Sequence, residues 1–261
     1  MGIVEALVLG IVQGLTEFVP VSSSGHLIAA HEFFGTTDST LVFDVSLHIG
    51  TLIALIIFFW RDIIKLLTHA FAKNDEGKLA RIIFWSTFPA AIIGYIGSDW
   101  IDAQLRKPAV VVGTMILMGA LMLFAEKWSQ KHESKNKKAV TMSDGITIGF
   151  AQALALIPGV SRSGATITMG LFRGLKRADA ARFSFLLAIP ITCGAIAGSL
   201  LGADPGELHG QASVFIIGIL AAACSGLLAI KYLLRYLSKN SLAIFAYYRF
   251  AVALIVFMMI V

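Results

Sequence analysis

Two clusters of polar residues interrupt an otherwise apolar chain. The first carries Gln13, Glu17, Ser22, Ser23, Ser24, Gly25 and His26, and the second Gln152, Ser161, Arg162, Ser163, Gly164 and Thr166. Together they hold the parts of a phosphate site. Arg162 offers a forked cation that matches phosphate oxygens, and the hydroxyls of Ser22, Ser161, Ser163 and Thr166 add further donors. Gly25 and Gly164 each precede a short predicted helix, so free backbone N–H groups at two helix N-termini would attract an anion. Gln13 and Glu17 stand at i and i+4 on one helical face. Their two side-chain oxygens can hold a hard divalent cation, Mg²⁺ or Ca²⁺, that bridges phosphate groups. His26 exchanges a proton near neutral pH, and Ser23 close by is a candidate nucleophile.

Each of these residues also has a plainer reading. Ser and Gly clusters in membrane helices serve close packing, and Glu17 can pair with Arg162 as a structural ion pair. His48, in an apolar run, reads as a packing or supporting residue rather than a ligand. Gly194, Gly198 and Gly202 form a small-residue face suited to helix contact, within the chain or across a homodimer. Lys131–Lys138 reads as a solvated loop. Arg162 stands apart, because a charge at bilayer depth costs about 2.5–3.5 kcal/mol and has to be offset by a partner or a ligand.

Membrane depth follows from composition. Of 261 residues, 57% are hydrophobic and 14% charged, with a mean hydropathy of +0.81. A soluble domain carries about 25% charged residues. This excludes a soluble enzyme, a disordered linker and a nucleic-acid binder, although the net charge is +5. Cys193 and Cys224 lie in apolar runs and imply no disulfide framework. The segment Met1–Ser24 has no Lys or Arg ahead of its apolar stretch, which Gln13 and Glu17 interrupt. It is therefore expected to stay in the mature chain rather than be cleaved as a signal.

The elements that position the clusters can be read from the runs between them. Six stretches are long and apolar enough to span a bilayer: Leu41–Trp60, Ile82–Ser98, Ala109–Phe124, Phe183–Leu201, Ser213–Leu234 and Leu242–Val261. Gly2–Val19 and Ile146–Ile157 instead run into the polar clusters, and shorter apolar segments, His26–Phe34 and Ala165–Phe172, follow. Each unit reads as a re-entrant hairpin whose irregular tip is buried in protein or lines a wet cavity. The connections Arg61–Arg81, Lys127–Lys138, Arg173–Arg182 and Lys231–Lys239 are rich in Lys and Arg. Glu32–Asp44 and Asp204–Glu207 carry acids alone, and Asp99–Lys107 is balanced. Six spans and two hairpins put the basic connections on one side of the membrane, the cytoplasmic one.

A shift of 139 positions aligns Gln13 with Gln152, Leu15 with Leu154, Val21 with Val160, Ser22 with Ser161, Ser24 with Ser163 and Gly25 with Gly164. The expected fold is an all-α polytopic membrane protein with an inverted-topology repeat. Each half has one hairpin and three transmembrane helices, with repeat 1 over about 1–130 and repeat 2 over about 144–261 in one membrane domain. Such repeats bring their discontinuous helices together near the midplane.

The strings GIVQGLTEFVPVSSSGH and PGVSRSGAT, the second running from Pro158 to Thr166, resemble the two signatures of the undecaprenyl-diphosphate phosphatase, or bacitracin-resistance, family of bacteria. The similarity runs the whole chain, including the stretch Tyr248–Phe250. The resemblance implies hydrolysis of undecaprenyl diphosphate to undecaprenyl phosphate and inorganic phosphate at the bacterial inner membrane. The site would face the outer side, and the reaction would recycle a lipid carrier for cell-wall synthesis. The family's paired-acid motif falls on Gln13 and Glu17, with one charge fewer for the metal than in a two-Glu member. Its serine–histidine motif falls on Ser22 to His26, and its arginine motif on Ser161, Arg162, Ser163, Gly164 and Thr166. On this reading Glu17 and Gln13 hold the divalent ion. Arg162, Ser161 and Thr166 bind phosphoryl oxygens, Ser23 attacks, and His26 serves as base or acid. His26 or a water as nucleophile stays open. The competing reading is a transporter of an anion or lipid headgroup, because paired hairpins also build transporters.

Overall fold

Each hydrophobic run becomes a helix, since backbone polar groups at membrane depth have to be satisfied within their own segment. The computed structural model describes residues 1–35, 41–105, 107–132, 139–202 and 212–260. Among these, ten helices follow one another without a strand. They are α1 (Ile3–Phe18), α2 (Ser23–Phe34), α3 (Leu41–Thr68), α4 (Asp75–Leu105), α5 (Pro108–Lys131), α6 (Met142–Leu154), α7 (Arg162–Phe172), α8 (Arg177–Gly202), α9 (Ala212–Leu237) and α10 (Ala243–Ile260). The acidic connection Asp204–Glu207, residues 36–40 and 133–138 of two other connections, and Arg106 lie outside the described residues.

All six expected spans are helical over most of their described residues, and α3, α4, α5, α8 and α9 are long and apolar enough to cross a membrane. The sixth, α10, is apolar over Ala243–Met258, and its 18 residues reach about 27 Å at 1.5 Å per residue, close to a hydrocarbon core of about 30 Å. Several helices start earlier than their apolar stretches. Asp75 and Glu76 open α4, and Asp179 lies in the first turn of α8, where acids favour the positive end of the helix dipole.

The two polar clusters fall at breaks between short helices, α1/α2 and α6/α7. One expectation needs correcting here. Gly25 and Gly164 do not precede α2 and α7 but lie inside their first turns, because the N-caps are Ser22 and Ser161. A serine there turns the chain at positive φ, 75° for Ser22 and 72° for Ser161, the only non-glycine positive values among the described residues.

The first helix of each pair packs on the far half of the chain, α1 against α9 and α6 against α4. These approaches are close enough to require glycine. A Cβ on Gly14 would collide with Ser225 Oγ and Ala222 O, and one on Gly149 with Ser86 O. The main core lies beside the breaks. There Phe18 of α1 meets Phe185 of α8 edge to face at 5.4 Å, and Phe59 of α3 closes on the same ring at 6.4 Å.

Candidate active site

Glu17 is the centre of the site. It sits in the last turn of α1, 8% exposed, and its carboxylate gathers donors from both breaks. Arg162 Nη2 donates to Oε1 at 2.6 Å. Ser23 Oγ donates to Oε2 at 2.7 Å, and Gln13 Nε2 to Oε2 at 3.1 Å. His48 Nε2 stands 3.8 Å from Oε2, and its Nδ1 is 3.0 Å from the Asp44 carbonyl one turn back along α3. The ion pair with Arg162 links residues 145 apart. A mostly buried carboxylate and guanidinium offset each other's desolvation only with such additional hydrogen bonds.

A cleft of about 290 Å³ opens over this cluster. Glu17, Ser22, Ser23, Ser24, His48, Ser161 and Arg162 line it, facing Val45, Leu156 and the α8 residues Ile191, Thr192, Ala195, Ile196 and Ser199. One wall is therefore polar and carries the Glu17–Arg162 ion pair, and the other is largely apolar, as an amphiphile with a phosphate headgroup would need.

The remaining expected residues have other partners. Gly164 N–H is bound by Ser161 Oγ at 3.1 Å, so it serves as a helix cap. Ser163 Oγ donates to Val19 O at 3.2 Å and thereby ties the second break to the first. Thr166 Oγ1 is buried, bonded to Arg162 O at 2.7 Å and to Ser184 Oγ at 2.6 Å. Gly25 is buried within α2. Neither these four nor His26 lines the cleft. His26 Nδ1 lies 2.7 Å from the Ser22 carbonyl and so has to carry the proton. Nε2 meets Tyr248 Oη at 2.8 Å, with the two rings stacked at 5.6 Å. Ser23 thus has Glu17 as its hydrogen-bond partner, and His26 has Tyr248.

Gln13 bears on the metal. It is wholly buried, and its Oε1 has no hydrogen-bond partner. Among the described residues no three His, Cys, Asp or Glu side chains form a metal cluster. The Gln13 atom that faces Glu17 is Nε2, so the pair fits a cation only with the amide turned over to present Oε1, as a two-oxygen bite that phosphate oxygens would complete.

Two residues of α10 belong to the site although the sequence reading passed over their roles. Tyr248 holds His26, and Arg249 is wholly buried between the breaks. An arginine inside an apolar span was a legible signal by the same cost that drew attention to Arg162. Tyr248 carried none.

Known proteins resemble the chain over nearly its whole length. A family profile described as bacitracin resistance protein BacA matches residues 6–255. A protein of Thermodesulfovibrio yellowstonii named undecaprenyl-diphosphatase is 45% identical, covering 98% of this chain and 96% of its own. Proteins of the same name from Rubrobacter xylanophilus and Moorella thermoacetica are 44% and 43% identical. The alignments cover 97% and 98% of this chain and 97% of each relative.

Proposed function

The chain belongs to the bacitracin resistance protein BacA family, and from that membership we propose that it is an integral-membrane phosphatase acting on undecaprenyl diphosphate. It removes the terminal phosphate, leaving undecaprenyl phosphate for reuse as a lipid carrier in cell-wall synthesis, and this activity confers resistance to bacitracin. The observation that carries the site assignment is the Glu17 carboxylate, hydrogen-bonded at once to Ser23 and to Arg162.

The reaction follows from those bonds. Ser23 Oγ attacks the terminal phosphorus as its proton passes to Glu17 Oε2, 2.7 Å away. The bond from phosphorus to the bridging oxygen breaks and releases undecaprenyl phosphate. Water then cleaves the phosphoserine to inorganic phosphate. Arg162, with Ser22 and Ser161, stabilises charge on the phosphoryl oxygens. His26 lies outside the cleft lining with Nε2 on Tyr248, and it would exchange the proton of the departing or entering oxygen by turning from Tyr248 toward the cleft. Gln13 and Glu17 would hold a divalent ion, Mg²⁺ or Ca²⁺, which supplies further charge neutralisation for the diphosphate. The remaining expected phosphate ligands, Gly25, Ser163, Gly164 and Thr166, contribute by shaping the first turns of α2 and α7.

The same reading takes the architecture to be one membrane domain of two inverted repeats, with α1/α2 and α6/α7 as re-entrant hairpins. Several pairs at the 139-residue offset support it. Ser22 and Ser161 share one backbone conformation. Each lies 3.2 Å from the serine hydroxyl two residues on. Ser225 meets α1 as Ser86, its counterpart at the same offset, meets α6. On this reading the protein lies in the bacterial inner membrane with its cleft toward the outer side. A Cβ on Gly194 or Gly198 would meet no atom within 4 Å among the described residues, and that face of α8 is assigned to a homodimer.

The test is phosphate release by detergent-purified protein from a long-chain prenyl diphosphate, with divalent ion and with chelator. Wild type is compared with Glu17→Ala, Ser23→Ala, His26→Ala and Arg162→Ala. Metal-dependent turnover that collapses in folded variants is expected. A well-folded wild type that releases no phosphate under any metal would leave a transporter as the reading.

A further inference from the structure

Arg249 is wholly buried in the first half of α10, and no carboxylate pairs with it among the described residues. Its guanidinium binds three backbone carbonyls instead. Nε donates to Met115 O of α5 at 3.2 Å, Nη1 to Pro20 O at 3.4 Å and Nη2 to Gly159 O at 2.6 Å. Pro20 and Gly159 are related by the same 139-residue offset as the two polar clusters. Each stands two residues before the positive-φ serine that opens α2 or α7. One planar fork therefore holds both breaks by equivalent atoms.

The choice of partners has an electrostatic reason. The three carbonyl dipoles point at the guanidinium and supply its hydrogen bonds, so the buried cation is satisfied without an acid. Its donors point in fixed directions, and an ammonium at this place could not reach all three oxygens. Arg249 is absent from the lining of the cleft, so it does not bind the headgroup itself.

We infer that Arg249 is a positioning residue. Through the carbonyls of Pro20 and Gly159 it sets the spacing between the break that carries Ser23 and the break that carries Arg162, so that both reach one phosphoryl group. The inference rests on the phosphatase reading. A second tie acts on the second break alone, where Thr114 Oγ1 donates to Pro158 O at 2.7 Å.

The experiment compares wild type with Arg249→Lys, Arg249→Gln and Thr114→Val in detergent. It measures melting temperature, KM and kcat for phosphate release from a prenyl diphosphate, and the Kd of orthovanadate. Arg249→Lys is expected to melt cooperatively and keep KM within about threefold while kcat falls about 30–100-fold, the scale of a sub-ångström to 1 Å misplacement. Vanadate affinity should fall by a similar factor, and Thr114→Val should lose about three- to tenfold in kcat by the same effect. A merely structural role would lower the melting temperature and leave kcat of the folded fraction intact. A folded Arg249 variant with kcat and vanadate affinity within threefold of wild type overturns the inference. If neither Arg249 variant folds, the residue holds the fold rather than the geometry of the site, and that outcome also overturns the inference. Wild type that releases no phosphate sinks the phosphatase reading on its own. The vanadate affinities of the variants would then still judge Arg249.

Discussion

Replacing Glu17 by Gln removes one charge from the centre of the site and almost no volume. The carboxylate now accepts from Ser23 at 2.7 Å and from Arg162 at 2.6 Å, so the substitution strikes both the rate and the fold. Loss of a general base lowers the rate by about 10²–10⁴, or about 3–5 kcal/mol in activation free energy. Breaking one side of a buried ion pair costs about 3–5 kcal/mol in stability. The lower end is expected here, for two reasons. The Arg162 side chain is 17% exposed and keeps some contact with water. The new amide also has a waiting acceptor in Gln13 Oε1, which has no partner now. The expected protein is folded, melts earlier, and turns over prenyl diphosphate at least about a hundredfold more slowly. The assay is phosphate release at saturating substrate, beside thermal melting in the same detergent. A folded Glu17→Gln protein with kcat within threefold of wild type would falsify the base assignment. Recovery of kcat to within threefold of wild type on raising the divalent ion tenfold would also refute it, since the carboxylate would then serve the metal alone.

Other perturbations test neighbouring parts of the site. Gln13→Glu places a second carboxylate next to Glu17 and removes the Nε2 bond between them. The repulsion is relieved by a cation, so the metal concentration for half-maximal turnover should fall about tenfold or more, read from a metal titration. Tyr248→Phe keeps the ring beside His26 but removes its hydroxyl from Nε2. A drop in kcat of about tenfold with a displaced pH profile is expected if the pair moves a proton, whereas an unchanged profile would separate His26 from the chemistry. Gly14→Ala forces a Cβ onto Ser225 and Ala222 and should lower the melting temperature by prying α1 from α9. Gly113→Ala, with nothing within 4 Å, should raise stability slightly, by up to about 1 kcal/mol.

Much of the site was legible because intramembrane polarity is costly and therefore conspicuous. Glu17 and Arg162 could be picked out without coordinates, since a charge inside an apolar chain needs an opposite charge or a ligand. The i, i+4 spacing of Gln13 and Glu17 placed them on one helical face, and their side chains do meet. Apolar run lengths located all ten helices, with ends that differ by up to eight residues, because the helices run on past the apolar core. Those ends mattered at Gly25 and Gly164. Glycine suggested a turn there, but the turn was made one step earlier by Ser22 and Ser161 in a conformation serine rarely adopts.

Tertiary structure decided which polar atoms face the cleft and which hold the frame. Ser161, Ser163 and Thr166 lie within six residues of one another. Yet Ser161 lines the cleft and caps α7, Ser163 reaches Val19, and Thr166 turns to Ser184. Helical periodicity can assign a face, but what that face meets depends on helices distant in sequence. The partner of His26 was settled in the same way, by the approach of α10, whereas Ser23 meets Glu17 across the α1/α2 break. Sequence by itself determined that charge and hydroxyl would be buried in a membrane at two related breaks. Packing of the two halves determined that Glu17 joins them in front and Arg249 behind, because hydrogen bonds between residues 145 and 229 positions apart exist only once the chain has folded.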